Sequence, residues 1–533
     1  MRWILVLLAL LLSPAVARER PRLVVVIVLD QFRADYLDRY YDQFLPDAPG
    51  KPGGFRYLLD QGAWQRQCFY DHFPMETSVG HTALATGALP AQHGIISNSW
   101  YDRRQKKIVQ SMEDPANPRL FSANRPIQRA GQELGASPRN LIGTTLGDEL
   151  KNAVPGSKVV GVSIKERAAI LMAGHRADLA IWYDELTGNW ISSRYYGDSL
   201  PDWVERFNRE DWAGQRQGWL WQPEKAQLVG GTRPQNQGAS DRGRFGKMPT
   251  GTEFFELLGF TPLGDAYTLL AARRAIEGEQ LGQDEAPDVL FISLSSLDKL
   301  GHQQGPYSPE IQDLLLRSDR ELAGFFAFLQ QKDLLRHTVV AMSGDHGGMA
   351  LPESCNLPSG RLHPDRLSER LNQALSSVLG PGQWVIDCHP PEVYLDPRAR
   401  RPDALRAACQ AAEEMAGVEM AISALDIETN QLQPGMVTGP VARSYHRKRS
   451  PDMLVVMSPY WLATDRTAGT SHNPVWNYDT HVPLLMRGPG IRKGWHIEPC
   501  TPRDLAPTLC ELLRIPPPAA SSGRVLNVLE VGP

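Results

Sequence analysis

Aspartates and histidines stand directly behind three apolar, strand-like runs of this chain. Leu23–Leu29 ends at Asp30, Val289–Leu294 is followed by Asp298 and His302, and Thr338–Ser343 runs into Asp345 and His346. In an open α/β sheet the carboxyl ends of parallel strands face one crevice, where ligands bind. Three strands delivering carboxylate and imidazole to one edge would assemble a metal site from distant segments. Asp298 and His302 are four residues apart, which places both on one face of a helical turn. In Asp345-His346-Gly347-Gly348 the glycines let backbone approach closely. A late histidine, either His472 or His481, completes the set. Carboxylate and imidazole without thiolate suit a hydrolytic Zn²⁺ pair, with Mn²⁺ or Co²⁺ as alternatives. Taken singly, an Asp-x-x-x-His is ordinarily a surface or capping pair, and a strand-end Asp a turn residue. The reading rests on strand ends, ligand types and order agreeing.

The elements that must position these groups follow from the pattern. Leu23–Leu29 is continuous and β-branched, as a strand buried on both faces should be. Lys158–Ser163 is a second such run and leads to Lys165 and Arg167. After the Pro74 break, Thr77 opens a helix through Ala85. Ala266–Glu277 reads as helical. Ser308 as N-cap, Pro309 at the first position and Glu310 in the first turn start a longer helix reaching about Gln331. Ile311, Leu314, Leu315, Leu322, Phe325, Phe326 and Leu329 give it an apolar face. The strand–ligand–helix–strand order is a βαβ unit and predicts a mostly parallel sheet. Two stretches break the pattern and read as insertions, at about 170–260 and at 357–448, the second with a strand at Trp384–Ile386 and a helix at Asp403–Met415. The chain returns to strand at Met453–Met457 and Val482–Met486, and 515–533 reads as a C-terminal tail.

A length of 533 residues suits a large catalytic domain with insertions, and a net charge of −4 offers no basic excess for a nucleic-acid polymer. Arg2, the apolar Trp3–Leu12 and Ala15-Val16-Ala17 form a secretory leader with cleavage after Ala17, so residues 1–17 are expected to be removed. The product would be periplasmic or secreted, with no membrane segment afterwards. Six cysteines include two close pairs, Cys388/Cys409 and Cys500/Cys510, that would suit bridges, with connectivity left open.

The chain also resembles a known family. The runs are Val28-Leu29-Asp30-Gln31, Thr77-Ser78-Val79-Gly80-His81-Thr82, Pro90-Ala91-Gln92-His93-Gly94-Ile95, Asn98-Ser99-Trp100-Tyr101-Asp102 and Tyr478-Asp479-Thr480-His481-Val482-Pro483-Leu484. With Lys165-x-Arg167, Asp298-x-x-x-His302 and Asp345-His346-Gly347, their order resembles the alkaline phosphatase superfamily. Within it the likeness is to the type I phosphodiesterase/nucleotide pyrophosphatase family and its threonine-dependent, PafA-type alkaline phosphatases. It runs from about Arg22 to Leu513. It implies a three-layer αβα sandwich with a mostly parallel central sheet and cap insertions, spanning 18–514.

The resemblance further implies roles. Thr77 would be the nucleophile, forming a phosphothreonine. One of two Zn²⁺ would be held by Asp30, Asp345 and His346 with the Thr77 oxygen, and the other by Asp298, His302 and His472, which it favours over His481. Asn98, Lys165 and Arg167 would grip phosphoryl oxygens. Lys and Arg there match the extra charge of a monoester dianion, whereas a diesterase would line this wall with apolar groups. Expected substrates are small phosphate monoesters such as sugar phosphates and nucleotides, handled by a monomer that scavenges phosphate. The alternatives are a phosphodiesterase or nucleotide pyrophosphatase on the same scaffold, and a non-catalytic phosphate binder. The C/S-x-P-x-R context of sulfatases is absent around Thr77, as is the Asp-Ser-Ala of the three-metal branch.

Overall fold

The computed structural model describes residues 20–127, 135–224, 240 and 242–530. The leader read over 1–17 lies outside them. No helix among the described residues is long and apolar enough to cross a membrane.

Ten strands form the central sheet, in the order Gly494–His496, Ala63–Gln65, Leu484–Arg487, Thr338–Gly344, Leu23–Leu29, Asp288–Leu294, Val159–Ser163, Leu179–Tyr183, Trp190–Ser193 and Arg119–Leu120. The five from Thr338–Gly344 to Leu179–Tyr183 run parallel. Both faces of Leu23–Leu29 are buried, which explains its unbroken apolar sequence. Leu23, Val25, Ile27 and Leu29 pack with the helices Pro262–Glu279 and Pro309–Gln331. Val24, Val26 and Val28 face the opposite core, with Ala83 and Leu84 of the helix Thr77–Thr86 and Leu505, Leu509 and Leu512 of Leu505–Leu513. This is the expected three-layer sandwich. Ser308 caps Pro309–Gln331 by accepting from the Ile311 amide at 3.3 Å, as its sequence predicts.

Register sets the site. Leu29 pairs with Leu294 on one side and Gly344 on the other. Asp30 and Asp345 therefore leave neighbouring strands at the same level, one residue past the ladder. Helix Ser296–Gln304 starts two residues beyond Leu294 and carries Asp298 and His302 over the same edge.

Several boundaries differ from the sequence reading. Leu179–Tyr183 and Trp190–Ser193 lie within the first expected insertion yet extend the central sheet. Short strands flanked by Trp, Arg and Gly hid this continuation. Met453–Met457 does not return to the central sheet. It joins Val385–His389, Glu392–Leu395 and Val418–Ser423 in a separate four-stranded antiparallel sheet. That lobe has its own core, where Leu367, Leu371 and Leu375 of helix Pro364–Leu379 meet Leu405 and Ala408 of helix Pro402–Glu413. An apolar strand reads alike in either sheet, so the lobe outlasts its expected end at 448. The expected tail docks: Leu526 and Val528 are buried, and the Leu526 amide donates to Thr508 Oγ1 at 2.9 Å. Neither close cysteine pair is bonded, and all six thiols are free.

Among the described residues, buried His72 has no hydrogen-bond partner for either ring nitrogen. Burial, with Arg503 and Arg443 nearby, outweighs Asp71 and lowers its pKa from 6.5 to about 4. The unfolded chain then binds the proton more tightly, so stability falls as pH drops from 6.5 towards 4. The slope from this group is about 1.4 kcal/mol per pH unit. His72→Phe is expected to flatten urea-unfolding stability between pH 6.5 and 4 by that slope.

Candidate metal centre

Ten candidate residues were read from sequence; nine of them, Asn98 aside, lie on or beside the edge just described. Asp298 Oδ1 lies 3.2 Å from His302 Nε2 and 3.6 Å from His472 Nε2. His346 Nε2 lies 3.5 Å from Asp30 Oδ1 and 3.4 Å from Asp345 Oδ2. The ligating atoms of Asp298, His302 and His472 all fall within 4.8 Å of one another, as do those of Asp30, Asp298 and His346 and those of Asp30, His81 and Asp345. His481 stays outside the cluster: its ring stacks on Phe69 at 4.3 Å and Nε2 lies 3.1 Å from the Arg66 carbonyl.

The three histidines are oriented alike. The Nδ1 of His302 lies 2.8 Å from the Thr470 carbonyl, that of His346 2.8 Å from the Gly347 carbonyl, and that of His472 2.5 Å from the Met75 carbonyl. A carbonyl can only accept, so each Nδ1 carries the proton and each Nε2 presents a lone pair to the cluster. This is the arrangement by which metal-binding imidazoles are fixed. Among the described residues, His346 Nε2 and Asp30 Oδ1 are buried with no hydrogen bond, while Asp30 Oδ2 meets the Lys165 ammonium and Asp345 Oδ2 the His81 ring at hydrogen-bonding distance. Orphaned acceptors at this density fit a metal cation.

The electrostatics agree. Burial, then the Asp298 and Asp345 carboxylates, push the Asp30 carboxyl well above its ordinary range. Burial also raises Asp298, but Lys165 and His302 outweigh it and hold that carboxyl well below the usual value. Burial lowers His346 to about 3, so it is neutral at working pH. Burial opposes the Lys165 charge, but Asp298 and Asp30 raise its pKa.

Thr77 is the first residue of its helix, buried, with Lys165 Nζ 3.4 Å from its Oγ1. That ammonium also meets Asp30 Oδ2 at 2.7 Å and Asp298 Oδ2 at 2.5 Å. Gly80 is required here, because a Cβ would overlap the Asp345 carbonyl. Lys165 immediately precedes the helix Glu166–Ala173, and Arg167 sits in its first turn. Both line a cavity of about 1250 Å³ with Asp298 and His302, and Arg361, His363 and His389 line it too. Asn98 accepts at Oδ1 from the Ser78 amide at 2.9 Å, which leaves its Nδ2 to donate elsewhere.

Three supporting residues were not read as functional. Gln31, at φ 65, donates its amide to Asp345 Oδ1 at 3.0 Å and its side-chain nitrogen to Asp298 Oδ1 at 3.2 Å. Left-handed backbone is costly for such a residue and is held only where surroundings over-determine it. Glu76 Oε2 accepts from the Asn98 amide at 2.6 Å and from Ser97 Oγ at 2.9 Å, fixing Asn98 beside Thr77. The Gly-His context of His81 suits turns and backbone hydrogen bonds. Its Nδ1 does lie 2.8 Å from the Thr77 carbonyl, and also 3.1 Å from Asp345 Oδ2, while its Nε2 lies 2.8 Å from Ser293 Oγ. The available signal was its place one helical turn after Thr77.

The model of the type I phosphodiesterase/nucleotide pyrophosphatase family matches residues 24–483. This chain belongs to that family. It is 34% identical to alkaline phosphatase PafA of Elizabethkingia meningoseptica, over 96% of this chain and 95% of that protein. It is 32% identical to a Myroides odoratus protein named calcium-transporting ATPase, over 95% and 94% of the two chains. Alkaline phosphatase PhoV of Synechococcus elongatus is 31% identical over 96% and 93%. The crystal structure of PafA superposes with a TM-score of 0.87 at 32% identity, covering 96% of this chain and 99% of the other. A second PafA structure, at 0.86 and 31% over the same shares, is of a variant substituted at a threonine, an asparagine, a lysine and an arginine.

His81→Ala should weaken metal binding about 10–100-fold, as loss of a group that orients ligands does. Chelator-competition titration of the purified protein measures it; unchanged affinity would reduce His81 to packing.

Proposed function

We propose that this chain is an exported, two-zinc phosphomonoesterase that hydrolyses small phosphate monoesters through a phosphothreonine at Thr77. Its nearly full-length relatives make it an alkaline phosphatase. The observation that carries the monoester reading is Lys165, with its ammonium beside Thr77 Oγ1 and Arg167 on the same cavity wall. A monoester dianion bears more charge on its non-bridging oxygens than a diester, and two cations at a helix N-terminus match it.

The residues divide the work. Asp30, Asp345 and His346, with the Thr77 oxygen, would hold one zinc, and Asp298, His302 and His472 the other. Bound there, the ions supply Lewis acidity that lowers the Thr77 hydroxyl pKa and neutralises phosphoryl charge. The Thr77 Oγ–P bond forms as the ester P–O bond breaks and the leaving oxygen takes a proton. Asn98 Nδ2, Lys165 and Arg167 hold the non-bridging oxygens through this step, which needs positioning and charge more than covalent help. Water then attacks phosphorus from the vacated side, and Thr77 leaves with inorganic phosphate released. The large open cavity contacts the alcohol portion loosely, which suits sugar phosphates and nucleotides alike and a role in phosphate scavenging. The leader read over residues 1–17 would send the chain, acting as a monomer, to the periplasm or outside the cell.

The test is kcat/KM for a monoester and a diester sharing one leaving group. A monoester preference is expected, with Lys165→Ala and Arg167→Ala each costing about 10²–10³-fold on the monoester and sparing the diester. Diester preference would move the chain to the diesterase reading. Thr77→Ala should abolish burst phosphorylation; no turnover of either ester by the wild type would favour a phosphate binder.

A further inference from the structure

Cys68 and Cys500 are cross-strand partners. They form a parallel β-bridge, in which the Phe69 amide donates to the Cys500 carbonyl at 2.9 Å and the Cys500 amide to the Gln67 carbonyl at 2.9 Å. Directly paired residues on adjacent strands put their side chains on one face, so the bridge sets the two thiols side by side. Neighbouring strands lie about 4.7–4.9 Å apart, inside the Cα range of about 4.4–6.8 Å that a disulfide spans. Both residues are buried in one apolar cluster with Tyr70, Val482, Leu505 and Leu509. No other two of the six cysteines are strand partners among the described residues.

A buried thiol with no cation beside it is neither a thiolate nucleophile nor a ready metal ligand. Burial, followed by Cys500 and nearby carboxylates, pushes the Cys68 thiol well above its ordinary value. Cys68 is thus poor at thiol chemistry, and the bridge places the pair well for a structural bond.

We propose that Cys68 and Cys500 close to a structural disulfide during folding, a step that leans on the export reading only for where the oxidant is met. Two thiols lose two protons and two electrons as the S–S bond forms, and a disulfide-bearing oxidant, protein or glutathione, is reduced to two thiols. The bond would tie the segment leading to Thr77 to the one leading into helix Leu505–Leu513, which packs on the Thr77 helix. It would close a loop spanning most of the chain, the case in which cross-links restrict the unfolded state most.

The test counts thiols in denaturant and maps non-reduced peptides. It uses protein from the exported fraction and, separately, protein refolded in a glutathione redox buffer. Four thiols and a linked Cys68/Cys500 peptide pair are expected, rising to six after reduction. Reduction should lower Tm by about 3–6 °C, and the Cys68→Ala/Cys500→Ala protein should not respond to reductant. Six thiols after glutathione refolding, or a cross-link joining other cysteines, would overturn the proposal. Four thiols after refolding but six in the exported fraction would uphold the bond and count against export.

Discussion

Asp30, Asp298 and Asp345 are buried side by side, and among the described residues one ammonium, that of Lys165, stands among them. Like charges at this spacing in a low-dielectric interior repel strongly, and burying an uncompensated carboxylate costs several kcal/mol. With all three ionised, the carboxylates would exceed that ammonium by two negative charges. A single cation would leave the pocket short of neutral once a phosphate dianion arrived; two divalent ions leave it positive enough to hold one. The fold, the histidine tautomers and the position of Thr77 all answer to that imbalance.

The parallel sheet makes such crowding possible. Strands in register end at one level, so Asp30 and Asp345 are brought together by backbone geometry before any side chain chooses a rotamer. Gly80 then lets the Thr77 helix press against the Asp345 backbone, and His81 ties that helix to the same carboxylate. Support for ligands also comes from far along the chain. Thr470 holds His302 by its carbonyl and reaches the Met349 carbonyl with its hydroxyl, so the late loop braces two separate ligand segments at once.

Much of this was legible in sequence because each strand is short, fully buried and followed at once by its polar residue. Leu23–Leu29 needed no tertiary information, and Ser308-Pro309-Glu310 announced its helix by local capping chemistry. What escaped notice depends on long-range partners. Met453–Met457 is apolar whichever sheet it joins. His81 and Gln31 look ordinary until the strand carrying Asp345 is placed beside them. Cys68 and Cys500 are far apart in the chain and meet only through the sheet edge, so nearness in sequence pointed to Cys510 instead. His472 and His481 separate only once the loop at Thr470 is seen folding over His302 and His481 stacking on Phe69.

The direct test of the central claim is the metal content of the purified mature chain, measured by elemental analysis with anomalous diffraction to place each ion. Two zinc per chain are predicted, one among Asp30, Asp345 and His346 and one among Asp298, His302 and His472, with His302→Ala losing the second alone. A single ion, or ions bound away from these residues, would contradict the account.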